Sequence, residues 1–417
     1  MMNFLKNSIK YTSSLSISLV GSETFKFASS LYIYKITGDF WLVTILYLLI
    51  QIPSLIIYLL SSKITSLKFN NKYVLFFCDV LSFLTLGILL TLFFVLPKSE
   101  SKAFSIILIT FSTILGFIHS LRFIYLKNIV YYITYNNKQL HNINILSTFG
   151  TSFGFLISAI LTILLYNKLD FFILIIANMI TYIISGLLYL WLSLSSTKTK
   201  FDSENKETQK NKTTTYKWIF ILSSSFIIGI FLMPRNANLT PFFKYINSNE
   251  FKIDEWGPYL NLIFSAFSLI GTLLNYWIFN SIKKKININY ILFPLLITNI
   301  LWLIFGYINN TQVQFYSYLS IVAIQQILFS IFLSTFYSMS YILFDKSKFH
   351  TQNGISLALR IIFYSVISIT STFITIYSSY YFSFLFFTIV IGILCFISIF
   401  GNYKIKRNEL KTKQEQN

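Results

Sequence analysis

The stretch Ser195-Ser196-Thr197-Lys198-Thr199-Lys200-Phe201-Asp202-Ser203-Glu204-Asn205-Lys206-Glu207-Thr208-Gln209-Lys210-Asn211-Lys212-Thr213-Thr214-Thr215-Tyr216 divides the chain. It is charged and Thr-rich, has no apolar periodicity, and reads as a solvated linker. On both sides hydrophobic runs of 20 or more residues recur, which is the signature of transmembrane helices. The flanks, 11–194 and 217–402, are nearly equal in length. Two matched apolar halves around a polar linker are the pattern of an internally duplicated membrane transporter.

Counting outward from the linker places six spans on each side, at about 11–36, 41–62, 73–95, 103–130, 143–166 and 171–194, then 217–240, 258–281, 288–308, 314–343, 354–378 and 380–402. The expected organisation is all-α: an N-terminal six-helix bundle (1–194), a cytoplasmic linker (195–216), a C-terminal six-helix bundle (217–403) and a basic cytoplasmic tail (404–417). Lys6 and Lys10 lead straight into the first span without a small-residue cleavage site, so no signal peptide is expected.

Composition agrees with this reading. Of 417 residues, 55% are hydrophobic and 11% charged, with mean hydropathy +0.66; a soluble chain carries about 25% charge. The net charge of +19 invites a nucleic-acid reading, but the lysines fall mostly in short loops between spans. With the N-terminus inside, 22 Lys and Arg lie on the cytoplasmic side, 6 outside, and 5 within or at the edge of spans. That bias places both termini and the linker in the cytoplasm. Cys78 and Cys395 lie in separate spans and the three histidines are scattered, so neither a disulfide framework nor a metal site is expected. No Gly-x-x-x-x-Gly-Lys-[Ser/Thr] loop is present, so energy comes from a gradient and not from ATP, and no cofactor is implied.

Charges inside spans cost about 2.5–3.5 kcal/mol each unless they face protein or a water-filled cavity. The first span carries Val20-Gly21-Ser22-Glu23-Thr24-Phe25-Lys26, whose carboxylate and ammonium share one helix face. Glu23 lies roughly 18 Å along the helix from Tyr11, near mid-membrane. It is the proton-coupling candidate. Desolvation and Lys26 act oppositely on its charge, and the sequence leaves the balance open. The plainer reading is a self-satisfied pair that snorkels to one interface.

Lys26, Arg122, Arg235, Asn236, Asn238, Gln325 and Gln326 are the substrate-cavity candidates. Arg122 keeps its charge and needs a partner or water, unless it snorkels inward beside Lys127. Arg235, Asn236 and Asn238 interrupt the seventh span between Pro234 and Pro241, and freed backbone carbonyls are tolerated there only against protein or a watered cavity. First and seventh spans correspond by position, and both carry a polar interruption. Gln325 and Gln326 either line the cavity or bond across helices. Lys68, Lys72, Asp79 and Arg360 are gating or structural candidates: Asp79 is expected near the cytoplasmic interface, in charge contact with Lys72 seven residues earlier, and Arg360 in the first turns of its span.

Several of these residues carry a resemblance. Val20-Gly21 through Ala28 to Ile36-Thr37-Gly38-Asp39 resembles the opening of macrolide-efflux-type permeases of the major facilitator superfamily. Gln51-Ile52-Pro53 fits the same pattern. Lys72-Tyr73-Val74-Leu75-Phe76-Phe77-Cys78-Asp79 is similar to that family's R-K-x-L-x-I-x-x-D. Asn128 to Leu140, Met233-Pro234-Arg235-Asn236-Ala237, Phe336-Tyr337-Ser338 and Gly354 extend the likeness in order along the chain. The departures are specific. In the loop between the second and third spans Lys63 stands for Gly, Leu67 for Asp and Lys68 for Arg, so a gating aspartate of the family is missing. The acidic position after Gly21 is Ser22, and Glu23 is displaced by about 100° around the helix. The fifth-span motif is reduced to Gly150 and Gly154, which permit close packing.

The resemblance implies two six-helix bundles around a central cavity and a secondary transporter working by alternating access. The expected activity is export of a hydrophobic or amphiphilic small molecule in exchange for protons, by a monomer in the plasma membrane among lipids. The rivals are a dedicated siderophore or peptide exporter, an importer, and a lipid-linked oligosaccharide flippase. A membrane enzyme is disfavoured, because no nucleophile–base constellation is visible.

Overall fold

A computed structural model describes residues 2–38, 40–66, 69–96, 101–165, 170–194, 212–232, 239, 242, 246, 253–281, 287–305, 311–344 and 349–416. The described residues form thirteen helices: α1 (Met2–Thr37), α2 (Phe40–Leu59), α3 (Ser61–Ser66), α4 (Asn71–Val95), α5 (Ser101–Ile133), α6 (Asn137–Leu165), α7 (Phe171–Leu190), α8 (Lys212–Leu232), α9 (Ile253–Ser281), α10 (Asn289–Phe305), α11 (Thr311–Leu343), α12 (Phe349–Tyr377) and α13 (Tyr380–Gln416). Ten of them are long and apolar enough to cross a membrane. The helix expected for the ninth span, α10, is apolar but has 17 residues. The first, α1, is 36 residues long and is not among the ten. Helix is the natural state for such runs, because each backbone group finds its partner within the segment.

The polarity of α1 is largely absorbed by the helix itself. Thr24 donates to the carbonyl of Val20 (2.6 Å), Ser29 to Phe25 (2.7 Å), Ser22 to Ser18 (2.9 Å) and Thr37 to Ile33 (2.8 Å). Such back-bonding to the preceding turn lets hydroxyls sit in an apolar setting at little cost. Gly38 ends the helix with φ +66°, its N–H on the carbonyl of Tyr34 at 2.8 Å, a left-handed cap that glycine adopts without strain. Asn70 caps α4, its side chain accepting the N–H of Lys72.

The chain folds as two compact units. The first comprises residues 1–201 with 257–269. Within it α1 packs against α2, α5, α6 and α7, and α4 against α5 and α7. Glycines set the closest approaches. A Cβ on Gly150 would stand 2.7 Å from Thr12 Cγ2, and one on Gly154 3.0 Å from the carbonyl oxygen of Ser16. Ser16 in turn donates to the carbonyl of Gly150 at 2.7 Å. The Gly150/Gly154 pair is therefore the seat of α1 on α6, as the small-residue spacing suggests. Phe25, Tyr32, Phe93, Phe104 and Phe171 make an aromatic cluster at one end of the unit.

The second unit comprises residues 202–256 with 270–417. Here α8 packs against α12 and α13, and α10 against α11 and α13. Phe242, Trp302, Tyr318 and Phe384 form its densest aromatic cluster. The basic C-terminal residues continue α13 in helix to Gln416.

Candidate functional site

Glu23 and Lys26 form an ion pair on α1, the ammonium 3.2 and 3.3 Å from the two carboxylate oxygens. The spacing of three residues produces this contact from helix geometry alone. Both side chains are partly exposed, at 22–23%. The Lys26 ammonium also lies 5.6 Å from the centroid of the Tyr47 ring on α2, and the Tyr47 hydroxyl donates to Ser30 at 3.3 Å. Lys26 thus sits between a carboxylate and the electron-rich face of a ring.

Arg122 and Asp79 form a second pair, at 2.8 Å, and both are within 2% of complete burial. It lies where four helices meet. Asp79 is on α4 and Arg122 on α5. Ser185 on α7 donates to the other Asp79 oxygen at 2.5 Å, and the Arg122 guanidinium donates to the Ser18 hydroxyl of α1. The guanidinium also stands 5.9 Å from the Tyr182 ring. Arg122 therefore does not snorkel to an interface. Asp79 does not contact Lys72 either: the Lys72 ammonium lies 5.3 Å from the centroid of its neighbour Tyr73. Seven residues on one helix face bring charges into line, but an ammonium on a flexible stem stays with water, and the buried aspartate takes the buried guanidinium.

One further residue adjoins the sealed pair. His119, one turn before Arg122, has Nδ1 3.4 Å from an Arg122 Nη2. A guanidinium nitrogen only donates, so this Nδ1 accepts and a neutral ring carries its proton on Nε2. Both ion pairs thus lie within the first unit, one partly exposed and one sealed.

Ser18, Ser185, His119, Tyr182 and Tyr47 were not legible as site residues. His119 alone had a local signal, its spacing of three from Arg122. The others are brought in by contacts between distant helices. In the second unit Gln325 and Gln326 are buried in α11. Arg360 is half-buried and lies about three turns inside α12, deeper than a span starting at 354 implies. Lys68, Arg235, Asn236 and Asn238, and with them the interruption of the seventh span, lie outside the described residues. Among the described residues no three His, Cys, Asp or Glu side chains gather as a metal site.

The family model described as Major Facilitator Superfamily matches residues 12–358. No curated protein matches the chain in sequence. Among solved structures, the fold is similar to a bacterial homologue of the iron transporter ferroportin in an outward-facing state. The TM-score is 0.67 and the identity 14%, over 96% of this chain and 98% of that one. It is also similar to the nucleoside transporter NupG, with TM-score 0.60 and 16% identity, over 95% of this chain and 99% of that one.

Proposed function

Since the chain belongs to the Major Facilitator Superfamily, and so is a multi-pass membrane transporter and not an enzyme, we propose that it exports a hydrophobic or amphiphilic small molecule in exchange for protons. In this reading twelve spans form two six-helix bundles, as in the macrolide-efflux-type permeases that the sequence resembles. Both termini are cytoplasmic in the plasma membrane, and the monomer alternates access to one cavity. Glu23 is the proton carrier.

One observation carries the proton assignment. Of the two ion-paired carboxylates, Asp79 is sealed by Arg122 and Ser185, whereas Glu23 remains 23% exposed. A carrier must exchange its proton with water on each side of the membrane in turn, and a sealed carboxylate cannot do so without breaking its pair.

Everted membrane vesicles test this. Export predicts that a panel of amphiphilic dyes accumulates inside the vesicles when their lumen is acidified, and that collapse of the gradient with a protonophore stops it. Glu23→Gln is expected to abolish the gradient-driven component while the protein remains folded and inserted. Accumulation by Glu23→Gln with the pH dependence of the wild type would overturn the carrier role. Uptake into right-side-out vesicles instead would reverse the direction.

A further inference from the structure

Among the described side chains both ion pairs lie in the first unit, and the carboxylates of the second unit fall outside the described side chains. The second unit does contain Arg360, on the interior stretch of α12. A guanidinium does not give up its proton, so Arg360 is a permanent charge within a helix long and apolar enough to cross a membrane.

Its surroundings are specific. α12 packs on α8, with Phe363 stacked on Phe226 at 4.3 Å and an interplanar angle of 7°. The next contact along is Gly229, where a Cβ would stand 3.0 Å from Arg360 Cγ and 3.4 Å from Tyr364 Cβ. The arginine stem therefore crosses α8 at the one kind of residue that leaves room for it. Beyond the stem, Nη1 is buried and has no acceptor among the described residues. The side chain as a whole is half-buried. Arg122 gives its Nη donors to Asp79, Ser18 and His119, with only its Nε left buried and unbonded, whereas Arg360 has no carboxylate beside it among the described residues.

We infer that Arg360 receives the carboxylate of an anionic amphiphilic cargo. Parallel N–H donors on a planar, weakly hydrated cation match a carboxylate edge to edge, and a buried donor without an acceptor is costly until one arrives. The charge balance agrees with export. Loaded, Arg360 and the cargo carboxylate cancel, and Glu23 cancels Lys26. On return, with cargo gone and Glu23 protonated, Arg360 and Lys26 carry two positive charges inward, in the direction that an inside-negative potential pulls. The assignment rests on the transporter reading; of its arguments only the charge balance uses Glu23 as the carrier.

The test is binding to the purified full-length protein in phosphatidylcholine vesicles, with carboxylates and their methyl esters as matched probes: cholate, a long-chain fatty acid and an acidic dye. The expected result is that the wild type binds at least one carboxylate at least tenfold more tightly than its ester. Arg360→Gln removes that preference and Arg360→Lys keeps part of it. No preference across the pairs in the wild type overturns the inference, and this arm needs no variant to fold. An unchanged preference in folded Arg360→Gln also overturns it. A further arm adds phosphatidylglycerol: if that lipid competes the carboxylates away and Arg360→Gln abolishes lipid binding, the anion is a headgroup and the cargo assignment fails. Loss of proton-driven export with carboxylate preference intact counts against the proton reading alone. Proton-driven export of neutral dyes by a wild type without the preference counts against Arg360 alone.

Discussion

Replacing Asp79 by Asn keeps the shape of the side chain and removes its charge. Arg122 then remains in a position that is 1% exposed with no carboxylate beside it. Removing one partner of a buried pair costs about 3–5 kcal/mol, because the other charge is left uncompensated. The Ser185 hydroxyl, which donates to Asp79 at 2.5 Å, loses a charged acceptor as well. For a unit of this size each kcal/mol corresponds to about 2–4 °C, so the midpoint is expected to fall by about 6–20 °C. Unfolding followed by cysteine labelling in detergent reads this directly, since Cys78 lies next to Asp79 and is fully buried. The cycle is completed by Arg122→Met and by the double variant. Because an ion pair replaced by apolar groups is often close to neutral, the double variant is expected to recover most of the loss. Lys72→Ala is the control and should change stability by no more than about 0.5 kcal/mol. An Asp79→Asn protein as stable as the wild type, or a double variant as unstable as the two single losses added, would refute the pairing. A large loss in Lys72→Ala would restore the loop contact as the partner of Asp79.

Gly116→Ala should be far more damaging than Gly87→Ala. The added methyl would collide with the Ile50 carbonyl oxygen in the first case and meet only the Met179 methyl at 3.6 Å in the second. Overpacking against backbone costs about 1–3 kcal/mol or more, and thermal midpoints of the two proteins check the order. Cys78 and Cys395, both fully buried, should resist a membrane-permeant maleimide in the folded protein and react once it is denatured; labelling of either under native conditions would contradict its placement.

The helices were legible in the sequence because hydrophobic runs of this length have few alternatives. The Glu23–Lys26 pair was legible for a different reason: contacts at three residues' spacing follow from the helix itself. The seat of α6 on α1 at Gly150 and Gly154 falls in the same class, since small residues four apart leave a groove whatever fills it. What local pattern does not encode is the choice between partners on separate helices. Arg122 and Asp79 are 43 residues apart, and Ser185 is 106 residues from Asp79. On sequence alone Lys72 was the nearer cation for Asp79. Burial decided otherwise, because a guanidinium with several fixed donors can satisfy a carboxylate away from water, whereas a lysine at a helix start loses little by remaining solvated. The low hydropathy of α1 has the same origin. Its serines and threonines count as polar residue by residue, yet many of them, from Ser16 onward, bond to their own backbone or to neighbouring helices, as Thr24 does to Ser158 at 3.1 Å.

The contrast between the two pairs defines what each can do. Asp79 and Arg122 join α4 to α5, with α7 and α1 tied in through Ser185 and Ser18, so a change of charge there loosens four helices at once. Glu23 and Lys26 lie on one helix, and separating them disturbs no junction between helices. When Glu23 takes up a proton, Lys26 keeps the face of Tyr47 at 5.6 Å, an interaction of about 0.5–2 kcal/mol, and so is not driven from its place. Under the carrier proposal, a proton arriving at Glu23 breaks a pair on one helix and leaves the Asp79–Arg122 pair at the four-helix junction in place. That is the physical requirement for a carboxylate that is to gain and lose a proton without unfolding the first unit.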